Sequence, residues 1–121
     1  MKFTSTLKKN HEFKRLYNKG KSAASQCAVV YCRRNGREEN RIGFTVSTKI
    51  GNAVQRNSIR RRLKEIYRLN EAKFKQGYDL VIVARMRSRI IGYHEIEASI
   101  LGLCKKLNLI SDAAARGDGQ P

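Results

Sequence analysis

Between positions 49 and 68 the chain carries seven cationic side chains, Lys49, Arg56, Arg60, Arg61, Arg62, Lys64 and Arg68, against one carboxylate, Glu65. At about 100° per residue on a helix, Arg56, Arg60 and Lys64 form an i, i+4, i+8 row. Asn57, Arg61 and Arg68 lie beside it. Like charges at that spacing cost about 0.2–0.5 kcal/mol per pair, so a solvated helix face normally mixes signs. This one does not, and a polyanion would neutralise it. A guanidinium is planar and forked, so it can hold a phosphate bidentately and stack on bases. The chemistry implied is recognition of nucleic acid. Arg85 to Arg89 form a second basic cluster, for which a solvated loop and an auxiliary RNA contact both stand. Thr45, Ser47 and Thr48 can donate hydrogen bonds to phosphate or 2′-hydroxyl groups, though strand threonines are commonly β-formers.

Nothing in the chain resembles a protein active site. His11-Glu12 and His94-Glu95 are isolated acid–base pairs with no nucleophile and no second carboxylate at a useful spacing. Cys27, Cys32 and Cys104 are an odd count with no pairing pattern. Cys27 and Cys32, placed on one strand, would point to opposite faces, which suits neither a disulfide nor a shared metal. With two histidines in the chain, no zinc spacing exists. The cysteines read as small buried apolar residues.

The 121 residues suffice for one domain with one core. A formal charge of +16 alongside 40% hydrophobic residues describes a folded basic protein rather than a disordered tail. It argues against a small-molecule metabolic enzyme and leaves nucleic acid or an anionic membrane surface as partner. No signal peptide is visible, and the longest apolar runs, of about six residues, fall far below the roughly 18–20 that span a bilayer. A soluble, cytoplasmic chain with no membrane partner is expected.

The elements that must position these residues can be placed. Asn10 can cap a helix over 11–19 that Gly20 ends, with Phe13, Leu16 and Tyr17 on one face. Residues 21–26 are a connector or a short edge strand. Strands follow over 27–32 and, by the alternation of Ile42, Phe44 and Val46, over 42–47; the two are expected to form a hairpin across the loop 33–41. Asn52 can cap a helix over 53–70, whose Ile59, Leu63 and Ile66 must pack on the sheet. Residues 78–84 form a continuous apolar strand buried on both faces. An amphipathic helix covers 93–109, and 111–121 reads as a disordered tail outside the domain 1–110. The class is α+β or α/β, one small sheet with helices packed on it. The strands flanking helix 53–70 should be parallel, with a right-handed crossover by default.

Lys49-Ile50-Gly51-Asn52-Ala53-Val54-Gln55-Arg56-Asn57-Ser58-Ile59-Arg60-Arg61 resembles the Arg-Asn signature of the bacterial ribonuclease P protein subunit, with Ser58 departing from the basic or long polar residue usual there. The resemblance extends over roughly residues 6–109. It implies an α+β fold of α-β-β-β-α-β-α order, related to the second domain of elongation factor G and to ribosomal protein S5. It also implies a left-handed βαβ crossover through the Arg-rich helix, against the default. It implies a protein cofactor of a ribozyme. The RNA subunit carries catalysis with Mg2+ held mainly on RNA, and the holoenzyme removes the 5′ leader of precursor tRNA by phosphodiester hydrolysis. The protein would be monomeric, one per RNA, and inactive alone. By that resemblance Lys49, Arg56, Asn57, Arg60, Arg61, Lys64 and Arg68 would meet the RNA subunit, and Phe13, Tyr17 and Tyr31 would grip the leader. Taken without the resemblance, Phe13 and Tyr17 at i, i+4 favour core packing; with it, Leu16 is left as the core anchor.

Three rival functions are weaker. A structural RNA-binding protein would account for charge and size but not for the full signature in its strand-to-helix setting. A DNA-binding regulator would need a helix-turn-helix partner where a strand is expected. A protein-only RNA-processing enzyme would need the catalytic cluster that the chain lacks.

Overall fold

The computed structural model describes residues 2–110; the tail expected over 111–121 lies outside them. The elements are β1 (Thr4–Thr6), α1 (Asn10–Lys19), β2 (Lys21–Ala24), β3 (Ala28–Arg34), β4 (Asn40–Val46), α2 (Ala53–Asn70), β5 (Tyr78–Ala84) and α3 (Tyr93–Lys106). To the expected order the structure adds β1. Thr4, Ser5 and Thr6 have no apolar alternation to announce a strand, and β1 forms because β4 and the end of α2 hold it.

The five strands make one mixed sheet in the order β1-β4-β5-β3-β2. The hairpin expected between strands 27–32 and 42–47, here β3 and β4, does not exist. β5 lies between them, antiparallel to β3 with Ala28 opposite Ala84, and parallel to β4 with Arg41 opposite Asp79. The Asn35-Gly36 turn is real, with Gly36 at φ +72°, but the loop it opens passes over the end of β5. There Asn35 donates from its backbone to the Gly77 carbonyl and from its side chain to Asp79.

The handedness of the β4-α2-β5 crossover follows from hydrogen bonds. Asn40 and Ile42 turn their side chains toward α2, while the Asn40 N–H donates to Phe3 and the Ile42 carbonyl accepts from Leu7, both flanking β1. In an L-residue strand running upward, a side chain raised toward the viewer has its own N–H and C=O on the right. Seen from α2, β1 therefore lies right of β4 and β5 lies left. A chain that climbs β4, descends in front through α2 and re-enters at the left makes a left-handed crossover, the rare hand.

Alternation along the strands splits the sheet into two packed faces. On one, Val30, Ile42, Leu80 and Ile82 meet Ile59, Leu63 and Ile66 of α2 and Ile96 and Ile100 of α3. On the other, Leu16 of α1 packs with Leu7 and Val81. The three cysteines are free and buried, as expected. Cys27 and Cys32 do not point to opposite faces, however. Cys27 precedes β3, so both enter the same core. The cap of α1 also differs. Asn10 is the first helical residue, and the Lys9 N–H donates to the Glu12 side chain. Asn52 caps α2 as expected, accepting from the Gln55 N–H at 2.9 Å while Gln55 Oε1 accepts from the Asn52 N–H. No helix is long and apolar enough to cross a membrane among the described residues.

One buried carboxylate fastens the chain's start to the end of α2. Glu71 accepts from the backbone N–H groups of Lys2 and Phe3 and from the Thr4 hydroxyl. Burial opposes its charge, but the Thr4, Lys2 and Phe3 donors outweigh burial and hold the carboxyl below its usual range. A depressed folded value means that the stabilisation is complete above the unfolded Glu range of about 4.3 and is lost as pH falls through the folded value. Glu71→Gln should cost about 1–3 kcal/mol at pH 7 in urea unfolding, with the gap to wild type narrowing below about pH 4. A deficit that stays constant down to pH 3 would show that the charge of Glu71 contributes nothing.

Candidate nucleic-acid interface

α2 is bound to the sheet through Ile59, Leu63, Ile66 and Tyr67, all buried, so its opposite side must face solvent. The turn before it is set by Ser47, whose hydroxyl accepts from the Lys49 N–H at 3.1 Å. Lys49 stands exposed at the helix entrance. Arg56 is half-buried and folds back to donate to the Gly51 carbonyl at 2.8 Å. Arg60 donates to Asn57 Oδ1 at 2.8 Å, which holds the guanidinium against the helix. Arg61 and Lys64 are exposed and enter no ion pair among the described residues. Arg68 differs from the rest, because Glu65 grips it at 2.9 and 2.6 Å and neutralises it in place. The expected basic set is thus brought together on one helix and its entrance, with Arg68 already paired. Arg62 points away from the row, toward α3 and the Arg89 loop.

The other face of the sheet carries the aromatic set. Leu16 is the buried anchor of α1. Tyr17 is 39% exposed, too open for the core role that its spacing also allowed. Its ring meets Tyr31 edge to face at 4.9 Å, and its hydroxyl lies 3.2 Å from Thr45 Oγ1. Phe13 and Tyr31 are half-buried against the same small cluster as Leu16. The three aromatics therefore share the α1-covered face of the sheet, over β3, β4 and β5. Such a surface offers ring faces without a hydrogen-bond code, the chemistry of a site that stacks unpaired bases with little regard for sequence.

Two residues that shape this aromatic surface were not singled out by sequence. Gly43 lies beneath Phe13. A Cβ there would stand 2.5 Å from two ring carbons, so the ring occupies the space a side chain would fill. A glycine inside a strand is the available signal for such a close approach. Arg41 clamps α1 to the sheet. It holds Asp79 at 2.8 and 2.7 Å and pairs with Glu12. Asp79 and Glu12 raise the Arg41 pKa. Glu12 is held below its usual range: burial opposes its charge, but the Lys9 N–H and Arg41 outweigh it. Glu12 is spent on Arg41, and exposed His94 lies 3.9 Å from Glu97. Among the described residues no group of three His, Cys, Asp or Glu side chains can hold a metal.

Gly43→Ala should destabilise the protein by about 1–3 kcal/mol in urea unfolding, since Phe13 must move. Phe13→Leu in that background should recover part of the loss. No recovery would mean that the ring is not what requires glycine.

Three comparisons bear on the whole arrangement. The family model described as Ribonuclease P matches residues 1–108. A ribonuclease P protein component from Alkaliphilus oremlandii is 48% identical over 113 residues, covering 93% of this chain and 99% of that protein. One from Clostridioides difficile is 41% identical, covering 88% and 94%. Among solved structures, the ribonuclease P protein of Staphylococcus aureus superposes with a TM-score of 0.80 at 32% identity, over 88% of this chain and 97% of that one. That of Thermotoga maritima gives 0.78 at 28%, over 84% and 96%.

Proposed function

This chain belongs to the ribonuclease P protein family, and from that premise we propose how its two faces divide the work. As a member it is a protein component of ribonuclease P, with a part in tRNA processing. In the proposal the RNA subunit carries catalysis and the protein is its cofactor. The exposed side of α2 binds the RNA subunit through Lys49, Arg56, Asn57, Arg60, Arg61 and Lys64, with Arg68 at the margin. The aromatic surface of Phe13, Tyr17 and Tyr31 takes the single-stranded 5′ leader of precursor tRNA. The protein acts as a monomer, one per RNA, in the cytoplasm.

The observation that carries this reading is the placement of a cationic helix with one internal ion pair and a partly open aromatic set on opposite faces of one sheet. Two RNA strands of different character can then be held at once. Phosphates of a folded RNA suit the helix, where each neutralised phosphate releases counterions. Unpaired bases suit the rings, at about 1–3 kcal/mol per stacked base. Leaders differ among precursors, so a sequence-tolerant site is what the task requires. Magnesium, which would activate the hydrolytic water, is assigned mainly to RNA phosphates. No step of the reaction is routed through a side chain of this protein.

Reconstitution tests the proposal. The protein mixed with a bacterial ribonuclease P RNA at low magnesium should release the 5′ leader of a precursor tRNA, and neither component alone should do so. Cleavage by the protein alone, or no rescue in the mixture, would overturn it. Arg61→Ala removes an exposed cation with no internal partner. It should weaken RNA-subunit binding and flatten its log–log salt dependence by about 0.7–0.9, leaving stability within about 0.5 kcal/mol. Tyr17→Ala should weaken binding of long-leader precursors and spare leaderless tRNA; equal losses on both would remove Tyr17 from the leader site.

A further inference from the structure

Between α2 and the start of α3 lies an open recess of about 480 Å³, bordered on one side by Lys64, the last member of the Arg56–Arg60–Lys64 row. Ser58, Arg61, Arg62 and Tyr93 line it, with the Glu65–Arg68 pair at its side. Three features of this recess are unexplained by packing. The Tyr93 hydroxyl is a buried side-chain oxygen with no hydrogen-bond partner. Buried polar groups are nearly always satisfied, so an orphan of this kind points to a missing partner. Arg61 and Arg62 form no ion pair among the described residues. Of the two carboxylates whose charge reaches Tyr93, Glu65 has both oxygens on Arg68 and Glu97 accepts from the Asn70 side chain.

We propose that this recess is a second RNA contact, which takes one backbone phosphate of the RNA subunit on Arg62 and Arg61 with the Tyr93 hydroxyl donating to the same group. The inference rests on the reading of α2 as the RNA-subunit face and adds a flank to it. Apart from Glu65, the polar groups at the recess are donors, which suits a group that only accepts. A phosphodiester presents two anionic oxygens, enough for a guanidinium fork and one hydroxyl. Burial and the Glu97 and Glu65 carboxylates push the Tyr93 phenol up, so it keeps its proton and remains a donor. Ser58, one turn before Arg62, is short and leaves the recess open. The RNA subunit is the source because the recess shares its helix with the exposed row, whereas the aromatic set is on the far side of the sheet.

The test is titration of the full-length protein with ribonuclease P RNA over a range of salt, using Tyr93→Phe, Arg62→Gln and, as the reference for the row, Arg60→Ala. Tyr93→Phe removes only an oxygen that bonds to nothing in the free protein, so its melting should be unchanged. It should nonetheless bind the RNA about 3- to 10-fold more weakly. Arg62→Gln should lower the salt slope by about 0.7–0.9, and the double variant should lose less than the product of the two, since both residues serve one phosphate. If Arg60→Ala lowers the slope while Tyr93→Phe and Arg62→Gln bind as wild type, the recess is not a contact and the reading of α2 stands. If none of the three changes binding, that reading fails as well. If inorganic phosphate perturbs the Tyr93 ring resonances but both recess variants bind the RNA as wild type, the recess holds free anions only, and the proposal is overturned.

Discussion

Strand β5 must be covered on both faces and paired on both edges, and the other elements are arranged around that requirement. Leu80, Ile82 and Ala84 face one way and Val81 the other, all buried. Burying an aliphatic side chain is worth about 1.5–3 kcal/mol, so an uncovered face of β5 would forfeit a large share of a marginal stability. α2 and α3 cover one face and α1 the other. The pairing with β4 is parallel, so the connection must cross over the sheet, and α2 is that crossover. A basic helix is therefore held by its apolar stripe with its charged side outward. The lighter cover on the opposite face, a ten-residue helix, leaves Tyr17 and Tyr31 partly open. The separation of the basic helix from the aromatic set, on opposite faces of the sheet, is a consequence of how β5 is buried.

Charge is distributed with the same economy. The chain has ten carboxylates for 26 basic side chains, and several are committed to architecture. Glu12 and Asp79 hold Arg41, Glu71 holds the chain's start, and Glu65 holds Arg68. Among the described residues none forms an ion pair with Arg61 or Lys64. The free protein bears a repulsion that a bound polyanion would relieve, so binding and stability should be coupled. Arg62 and the Tyr93 hydroxyl extend that pattern to the second flank of the helix, where a donor waits with no acceptor inside the fold.

Much of this was legible from residues alone, and the failures have a common cause. α2 begins and ends where its capping pair and its 3.6-residue period place it, and β5 is bounded as its apolar run suggests. Both signals are local. The hairpin is absent because strands adjacent in sequence need not be adjacent in space: β5, whose partners lie between 38 and 56 positions away, stands between β3 and β4. β1 is held by its pairing with β4 and by Glu71, contacts no periodicity encodes. The spacing of Phe13 and Tyr17 placed them together on α1, but only the sheet beneath decides that one sits over Gly43 and the other stays open. Gly43, Arg41 and Tyr93 act through contacts between elements, so their types in sequence announced little.

The most direct test of the two-face arrangement is to ask which RNA each face touches in the assembled particle. A photo-crosslinking side chain placed at Arg61, and separately at Tyr17, would be activated in a reconstituted complex of protein, ribonuclease P RNA and a precursor tRNA labelled in its leader. The arrangement requires position 61 to crosslink the RNA subunit and position 17 to crosslink the leader. Both positions marking the same RNA, or position 17 marking neither, would contradict it.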